Sequence, residues 1–357
     1  MRFGDVVFER SFWGIVGASG VFWIRTIRIE DPLLCPSAVQ GCEVNVFPTK
    51  RGELDLKIEQ MGLNRLWMSR YEINLPQVNR IAVRPGRRAI GFLTQLNGPS
   101  IQHCGMDVAP GDIVIDKFDV SHQRSGVNHR YGGMSLPEDD LSATLATVVG
   151  ADFLEKLTTR VVRPRRELMS RLLKMHQTVG ELAHSAPDAL ESPELRRGFE
   201  QQLSYLMVRC LAEGAGVEIT TGRRRHDAII ARLEDYLAAN PDRAVYLTEL
   251  CAATGVSERT LRSACEEHLG MAPIRYLTLR RMHLVRRALL RADASTATVT
   301  RIVTDYGFWE LGRFSVAYRT LFGELPSETL RRPAQDPDLH LIRPSTLPAE
   351  VIVGRLH

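Results

Sequence analysis

Hydrophobic and polar positions follow different patterns in the two halves of the chain. From about residue 32 to residue 136, short runs such as GELDLKIEQM and GDIVIDKF alternate apolar and polar residues and are separated by PG, NG and GG turns. This alternation predicts strands and hairpins. After Pro137 the apolar residues recur at every third or fourth position, which predicts helices. The pattern therefore predicts a β-rich front followed by a helical region.

Two of the predicted helices carry long apolar stripes. The first stripe consists of Leu168, Leu172, Met175, Val179 and Leu182, and the second of Phe199, Leu203, Leu206 and Cys210. Such stripes either pair as a dimerising helical hairpin or pack on the β-domain, and the sequence leaves both alternatives open. The next segment, EGAGVEITTGRRR, is rich in glycine and predicts a linker between domains.

An internal repeat follows this segment. The offset between its two copies is 52 residues at Thr248 and Thr300, and 53 residues at Pro273 and Pro326. Each copy predicts a short helix capped by its threonine, a tight turn at a glycine and a second helix, which Ser257 caps in the first copy. The residues expected in the cores of the two copies are Leu250, Gly255, Leu261, Ala264, Ile302, Gly307, Phe314 and Ala317. This is the spacing of helix-turn-helix units.

A predicted helix joins the two copies, from Pro273 to about Arg291. It would be about 28 Å long at 1.5 Å per residue, which is close to one turn of B-DNA, so both second helices would reach successive major grooves on one face. Its arginines either meet DNA phosphates or form a solvated face; they are Arg275, Arg280, Arg281, Arg286 and Arg287.

The two copies resemble a known family. The motifs GVSERTL and HLGMAPIRYL in the first copy, and LGRFS and FGELPSETLRR in the second, resemble the DNA-binding domain of AraC/XylS family transcription regulators over about residues 227–332. Within this family the second copy is most similar to the ethanolamine-operon regulator subgroup. The resemblance implies two helix-turn-helix units joined by a long helix. It also implies a front half that is usually a cupin-type jelly roll, that senses a small molecule and that often dimerises.

The distribution of charge agrees with this division of the chain. The 357 residues carry a formal net charge of +4, which is too small to indicate a nucleic-acid partner by itself. Residues 1–222 are neutral, whereas residues 223–332 hold 18 basic and 13 acidic residues, and all 18 basic residues are arginine. Arginine can bind guanine or phosphate through two hydrogen bonds, although codon bias would explain an arginine-rich chain equally well.

Solvent-facing positions of the two second helices are the candidates for contact with DNA. They are Glu258, Arg259, Thr260, Arg262 and Ser263 in the first copy, and Glu310, Gly312, Arg313, Ser315, Val316 and Arg319 in the second. We expect Arg259 and Arg313 to contact base edges, because arginine to guanine is the commonest specific contact. Arg262 and Arg319 are expected on phosphates. At each position an exposed arginine without a role is the alternative.

The front half lacks the pattern of a metal-dependent enzyme. A cupin metal site needs two histidines one residue apart, a carboxylate and a third histidine, whereas His103, His122 and His129 are isolated. We therefore predict no metal, no cofactor, no catalytic residue and no enzyme activity, and we expect these histidines at the surface or hydrogen-bonded in the core. No ligand-binding residue is assigned; the residues weighed as pocket lining or as plain core are Trp67, Arg70, Tyr71, Phe92 and Phe118.

The predicted fold class is α+β. Residues 1–136 are predicted to form a cupin-like β-sandwich or jelly roll, and residues 137–213 a helical segment for dimerisation. A linker at 214–225, an all-α double helix-turn-helix domain at 226–332 and a tail at 333–357 complete the chain.

The predicted function is that of an effector-responsive activator that binds two successive major grooves. The alternative is a regulator whose front half only dimerises or binds a protein partner. The predicted partners are double-stranded DNA, RNA polymerase, a small-molecule effector and a second copy of the chain. Six cysteines without a CxxC pair predict a reduced, cytoplasmic protein. No apolar run is long enough to span a membrane, and the run at residues 11–24 lacks the flanks of a signal peptide.

Overall fold

Strands and helices separate along the chain in the computed structural model. The structure describes residues 2–3, 6–13, 22–32, 35, 38–116, 120–150, 160–217, 220–241 and 243–332. Within these ranges, the front is built mainly of antiparallel strands and the back only of helices. This confirms the predicted α+β class. Phe118 and the tail at 333–357 lie outside the described residues.

The strands of the front half are short, as the frequent turns predict. The first eight are β1 (Arg2–Phe3), β2 (Val6–Trp13), β3 (Trp23–Ile29), β4 (Cys42–Pro48), β5 (Leu56–Leu63), β6 (Leu66–Ile73), β7 (Gln77–Val83) and β8 (Arg87–Leu93). The remaining strands are β9 (Ile101–His103), β10 (Met106–Val108), β11 (Ile113–Asp116), β12 (Val120–Ser125), β13 (His129–Pro137), β14 (Val161–Arg163) and β15 (Ala215–Gly216).

These strands form two sheets in the described part of the chain. The larger sheet has the order β1-β2-β3-β5-β6-β13-β8-β11-β14-β15, and the smaller sheet has the order β10-β9-β12-β7-β4. In the larger sheet Tyr71 lies opposite Tyr131, and in the smaller sheet Asn79 lies opposite Gln123. Residues of both sheets line one cavity, so the sheets face each other as the predicted sandwich.

In the described part of the front half, three helices cover the larger sheet. They are α1 (Glu138–Val149), α2 (Arg166–Ser185) and α3 (Pro193–Ala212), with a 3₁₀ helix at Pro187–Glu191 between the last two. The two predicted apolar stripes lie on α2 and α3. Their residues Leu172, Val179 and Leu206 are fully buried in one cluster with Met68 and Phe92 of the sheet. Of the two alternatives, packing on the β-domain is therefore the one observed.

The back half consists of seven helices in the described residues. They are α4 (Thr221–Ala238), α5 (Leu247–Thr254), α6 (Glu258–Leu269), α7 (Pro273–Arg291), α8 (Val299–Asp305), α9 (Leu311–Phe322) and α10 (Pro326–Arg331). Helix α7 has the predicted bounds and 19 residues. The predicted linker at 214–225 is wrong in part: β15 pairs with β14, and α4 begins at Thr221 because Thr220 accepts the Arg223 amide.

Two predicted helix caps are wrong by two residues. Helix α5 begins at Leu247 rather than after Thr248, because the Glu249 carboxylate accepts the Tyr246 amide at 2.8 Å. Helix α8 begins at Val299 rather than after Thr300, because Thr298 Oγ1 already accepts an amide of the first turn. The predicted cap at Ser257 is confirmed, since its hydroxyl oxygen accepts the Thr260 amide at 3.4 Å.

Candidate functional site

The two sequence repeats have the same turn geometry. Gly255 follows α5 with a φ of 68°, and Gly307 follows α8 with a φ of 75°. Both angles lie in the left-handed region that glycine adopts without strain. The next amide then reaches back to the helix: Val256 N donates to Cys251 O at 3.3 Å, and Phe308 N donates to Val303 O at 3.2 Å. Each turn therefore starts a second helix at a fixed angle to the first.

Each unit has its own apolar core. Leu250, Leu261 and Ala264 are buried with Ile229 of α4 in the first unit. In the second unit Phe314 is buried together with Val303 and Tyr318, and Ile302 packs against them while half-buried.

One expected core residue is not in the core. Ala264 is covered by α4, which has no counterpart over the second unit among the described residues. Ala317 at the corresponding position is exposed, so its predicted burial is wrong. The rings of Phe314 and Tyr318, 5.5 Å apart, fill the inner face of α9 instead.

The outer faces of α6 and α9 are accessible. Nine of the eleven predicted DNA-contact residues are exposed, namely Glu258, Arg259, Arg262, Ser263, Glu310, Gly312, Arg313, Val316 and Arg319. Thr260 and Ser315 are half-buried, at the edges of these faces. The two helices therefore present two polar surfaces, and both contain arginine.

Carboxylates lie beside two of these arginines. Arg262 Nη2 is 3.2 Å from Glu258 Oε1, and Arg313 Nη1 is 2.8 Å from Glu310 Oε2. Exposed pairs of this kind contribute about 1 kcal/mol or less, so a phosphate or a guanine edge can replace the carboxylate. Arg259 forms no ion pair within the described part of the chain, which leaves its guanidinium available.

Two exposed apolar residues lie beside this polar surface on the second unit. Trp309 in the turn before α9 is 75% exposed, and Val316 on α9 is 69% exposed. The interpretation of the sequence did not single out Trp309. The available signal was its place directly after Phe308, the turn residue that packs against the core of the second unit. An apolar side chain here can contact a thymine methyl group.

Of the five arginines of α7 considered for phosphate contact, Arg280 and Arg286 are engaged within the chain. Arg280 donates to the carbonyl oxygens of Leu237 and Asn240, and so closes the end of α4. Arg286 is buried and donates to Asp31 Oδ1 at 2.6 Å. Both alternatives, phosphate contact and a solvated face, are therefore wrong for these two residues, whereas Arg275 is exposed as expected.

Arg281 connects the two helix-turn-helix units. Its guanidinium carbon lies 5.6 Å from the ring centre of Tyr246, at the start of α5, and 5.0 Å from the ring centre of Phe308, in the turn of the second unit. Burial lowers the pKa of Arg281, and the two aromatic faces stabilise the cation in place of water. This contact helps to fix the orientation of one unit relative to the other.

A cavity of about 120 Å³ lies between the two sheets. Trp67 and Tyr71, two of the residues weighed for such a pocket, line it on the larger sheet. Phe92 instead packs on the ring of His176 under α2, and the Arg70 side chain lies against Gly180, so neither belongs to the cavity.

The three isolated histidines are all buried. His122 is hydrogen-bonded in the core as expected, with Nε2 at 3.0 Å from Glu234 Oε1. His129 is buried rather than at the surface; it lines the cavity, and its Nε2 has no hydrogen-bond partner among the described residues. His103 is fully buried rather than at the surface. No group of three or more potential metal ligands is found among the described residues.

Strands β7 and β12 form a wall between the cavity and the helical half. Because side chains alternate along a strand, Asn79 and Gln123 face the cavity, whereas Arg80 and His122, also opposite each other, face Glu234 of α4. Val78 of β7 is fully buried in the same cluster as α4, α6 and α7. We call β7 and β12 the shared wall.

Glu234 is the main polar contact across the shared wall. Arg80 Nε donates to its Oε2 at 2.6 Å, and the Tyr276 hydroxyl of α7 donates to its Oε1 at 3.1 Å. Burial opposes ionisation of Glu234, but the charge and hydrogen bonds of His122 and Arg80 outweigh it and hold its pKa at about 2. The carboxylate is therefore ionised, and it links both halves of the chain.

The geometry defines the back half as a bipartite module of two helix-turn-helix units on one long helix, the type of module that places helices in successive major grooves. A family model described as a helix-turn-helix domain matches residues 250–332. The XylDLEGF operon transcriptional activator 2 of Pseudomonas putida is 36% identical over 99 residues, covering 28% of this chain and 63% of that protein. Activator 1 of the same operon and organism is 38% identical over 155 residues, covering 43% and 46%.

Among solved structures, a probable AraC family transcriptional regulator from Rhodopseudomonas palustris is 36% identical, covers 30% of this chain and 96% of that chain, and has a TM-score of 0.26. The chain belongs to the AraC/XylS family of transcription regulators. This confirms the predicted family, which is one of DNA-binding regulators and not of enzymes. The chain spans about half to two thirds of the length of the two Pseudomonas putida activators. No described helix is both long and apolar enough to cross a membrane.

Proposed function

We propose that this protein is a sequence-specific DNA-binding regulator of transcription, with residues 226–332 as its DNA-binding domain. The observation that carries the proposal is the pair of matching turns at Gly255 and Gly307 on either side of one 19-residue helix. Two exposed arginine-bearing helices at this separation suit two major grooves about one helical turn apart. We assign base contact to Arg259 and Arg313, and phosphate contact to Arg262 and Arg319.

Selection of binding sites from random duplex DNA tests this proposal. Purified protein should enrich a site with two conserved blocks whose centres lie about 10 base pairs apart. Binding should also weaken steeply with salt, because several phosphates are neutralised. Enrichment of a single compact block, or of no sequence at all, would contradict two-groove binding.

Single arginine variants test the residue assignment. Arg259→Ala should weaken binding to the selected site by about 1–3 kcal/mol and relax the sequence preference in one block only. Arg313→Ala should do the same in the other block. Arg197→Ala is the matched control, because Arg197 is exposed on α3 in the front half. Loss of preference in the same block for both variants would overturn the assignment.

We further propose that a small molecule in the cavity regulates DNA binding. Two observations support this: the cavity lies inside the front half, and the shared wall contacts the cavity with one face and Glu234 with the other. A ligand that shifts β7 or β12 would change the contacts of α4 and α7 directly. A cavity ligand should therefore change the affinity for the selected DNA site, and DNA should change the affinity for the ligand by the same factor.

The alternative is a front half that only dimerises or binds a protein partner. It predicts unchanged DNA affinity with any cavity ligand and a mass above that of one chain in light scattering.

We include a homodimer in the proposal, although the apolar stripes of α2 and α3 are already covered within the chain. Contact with RNA polymerase is proposed because the Pseudomonas putida relatives are described as activators. A cytoplasmic location suits a DNA partner and six free cysteines.

A further inference from the structure

Among the residues that the structure describes, the lining of the cavity contains no charged side chain. It consists of apolar and aromatic residues together with glutamine, asparagine, serine, tyrosine and one histidine, and includes no Asp, Glu, Lys or Arg. The half-buried cation Arg25 lies behind this lining and is held by it: its Nε donates to Oε1 of the lining residue Gln60 at 2.9 Å, and its Nη2 donates to the Ala38 carbonyl oxygen at 2.8 Å. A buried ion without a partner of opposite charge is strongly destabilised, so this lining disfavours a charged ligand.

Polar atoms without partners concentrate on the side of the cavity formed by the smaller sheet, which holds Gln77, Asn79 and Gln123, whereas His129 lies on β13 of the larger sheet. Gln77 Oε1, Asn79 Oδ1, Gln123 Nε2 and His129 Nε2 are buried and have no hydrogen-bond partner in the described chain. Their side chains are 2%, 9%, 2% and 4% exposed. Each such atom costs free energy while it is unpaired. An amide can turn either its oxygen or its NH₂ towards a ligand, so this side can both donate and accept hydrogen bonds.

The opposite side of the cavity is aromatic. Trp23 and Trp67 meet edge to face with ring centres 6.1 Å apart, and Tyr71 and Tyr131 lie on the adjacent strands. Arg87 stacks on the Trp67 ring at 3.7 Å, which holds that ring in place. A volume of about 120 Å³ is similar to that of an engineered cavity, about 150 Å³, that binds benzene. The space therefore suits one ring with a short polar substituent.

We propose that the cavity binds an uncharged molecule of single-ring size that carries a hydrogen-bonding group, such as a carboxamide or an alcohol, with this group directed at Asn79 and Gln123 of the shared wall. The inference rests on the proposed function in taking the cavity as the effector site. To that function we add the chemical class of the ligand and the two residues, Asn79 and Gln123, that form hydrogen bonds with its polar group. Because burial lowers the pKa of His129 to about 4, this side chain is also neutral near pH 7.

Three probes of nearly the same shape separate the chemical classes. Benzamide is neutral and polar, benzoate is an anion, and toluene has no hydrogen-bonding group. In calorimetric titrations and thermal shifts of the full chain without DNA, benzamide should bind most tightly, toluene about tenfold more weakly, and benzoate least. Benzoate binding as tightly as benzamide, or no binding of benzamide at millimolar concentration, would overturn the proposal.

Variants of the shared wall test where the polar group lies. Asn79→Leu and Gln123→Leu each remove an unpartnered polar atom, so the folded chain should remain at least as stable. Each should bind toluene as before and lose about tenfold in affinity for benzamide. Gln177→Leu, at an exposed position of α2, is the matched control and should change neither. Equal loss for both probes would contradict the assignment of these two residues.

Failure of this inference can be told apart from failure of the proposed function. If benzamide binds as described and the affinity for the selected DNA site stays the same, the ligand class holds and the effector role is wrong. If no neutral probe binds while site selection gives two blocks, the DNA-binding function holds and the ligand class is wrong.

Discussion

Gly255 and Gly307 occupy the same place in the two units but have different surroundings. A Cβ on Gly255 would meet no atom within 4 Å, whereas a Cβ on Gly307 would clash with the Tyr246 hydroxyl. Both φ angles are positive, so Gly255→Ala should cost about 1–2 kcal/mol of stability from backbone strain alone. Gly307→Ala should cost more, because Tyr246 has to move as well. Urea unfolding of the two variants measures the difference, and equal losses would contradict this account.

Arg281 lies between the rings of Tyr246 and Phe308, so both its charge and the planar shape of its guanidinium contribute to stability. Arg281→Ala should lower the free energy of unfolding by about 1–2 kcal/mol, since two cation–π contacts are lost. Arg281→Lys should recover only part of this loss, because an ammonium cannot stack on both rings. Arg275→Ala on the exposed face of the same helix is the control and should be neutral in urea unfolding. Full rescue by lysine would show that charge alone is sufficient.

At the scale of the element, the start of α8 depends on one hydroxyl. Thr298 Oγ1 accepts the Arg301 amide at 3.3 Å, so Thr298→Ala should cost about 1 kcal/mol. Thr300, which the sequence suggested as the cap, lies inside the helix and is exposed. Thr300→Ala should therefore be neutral or slightly stabilising. Thermal unfolding of both variants checks this, and a larger loss for Thr300→Ala would contradict the observed helix start.

The repeat made most of the back half predictable. Its spacing indicated the turns at Gly255 and Gly307, and Pro273 indicated the start of α7, because these residues fix local backbone geometry. The exact caps did not follow, because Thr298 is as suitable a cap for α8 as Thr300, and because Glu249 instead of a threonine accepts the Tyr246 amide at the start of α5. Ala264 is buried because α4, which lies outside the repeat, covers it, whereas no described helix covers Ala317 in the same way.

Contacts between distant parts of the chain were not predictable. The arginines of α7 look alike in sequence, yet Arg286 pairs with Asp31 about 250 residues earlier. The shared wall was not predictable either, because the polar residues Asn79 and Gln123 interrupt the apolar pattern expected for the core-facing side of β7 and β12. Asn79 and Gln123 face the cavity, and the alternating residues Arg80 and His122 face α4. Both surroundings are formed by parts of the chain that are distant in sequence.

For the whole molecule, we expect Glu234 to couple the unfolding of the two halves, because it binds Arg80 and His122 of the front half from α4. It is 3% exposed, and removing one member of a buried ion pair typically costs about 3–5 kcal/mol. Glu234→Gln should therefore separate a single unfolding transition into two in urea, with the front half and the back half unfolding independently. Glu266→Gln, exposed on α6, is the control. A single unshifted transition for Glu234→Gln would show that Glu234 does not couple the two halves.

Acid should destabilise the molecule through its buried histidines. Burial lowers the pKa of His129 to about 4; burial and the charge of Arg70 lower that of His176 to about 3; burial and the charge of Arg286 lower that of His283 to about 3. The unfolded chain binds these protons near pH 6.5 and the folded chain does not, so stability falls as the pH falls below 6.5.

Between pH 8 and pH 5 this loss should be about 2 kcal/mol for each of the three histidines. Glu234 does not contribute in that interval, because its stabilisation is lost only between its ordinary pKa of 4.5 and its folded value of about 2. His176→Leu should therefore lose about 2 kcal/mol less than the parent chain when urea unfolding at pH 8 and pH 5 is compared. His184→Leu, exposed near the end of the same helix, should keep the full loss. The same pH dependence in both variants would show that the folded chain protonates His176 as readily as the unfolded chain does.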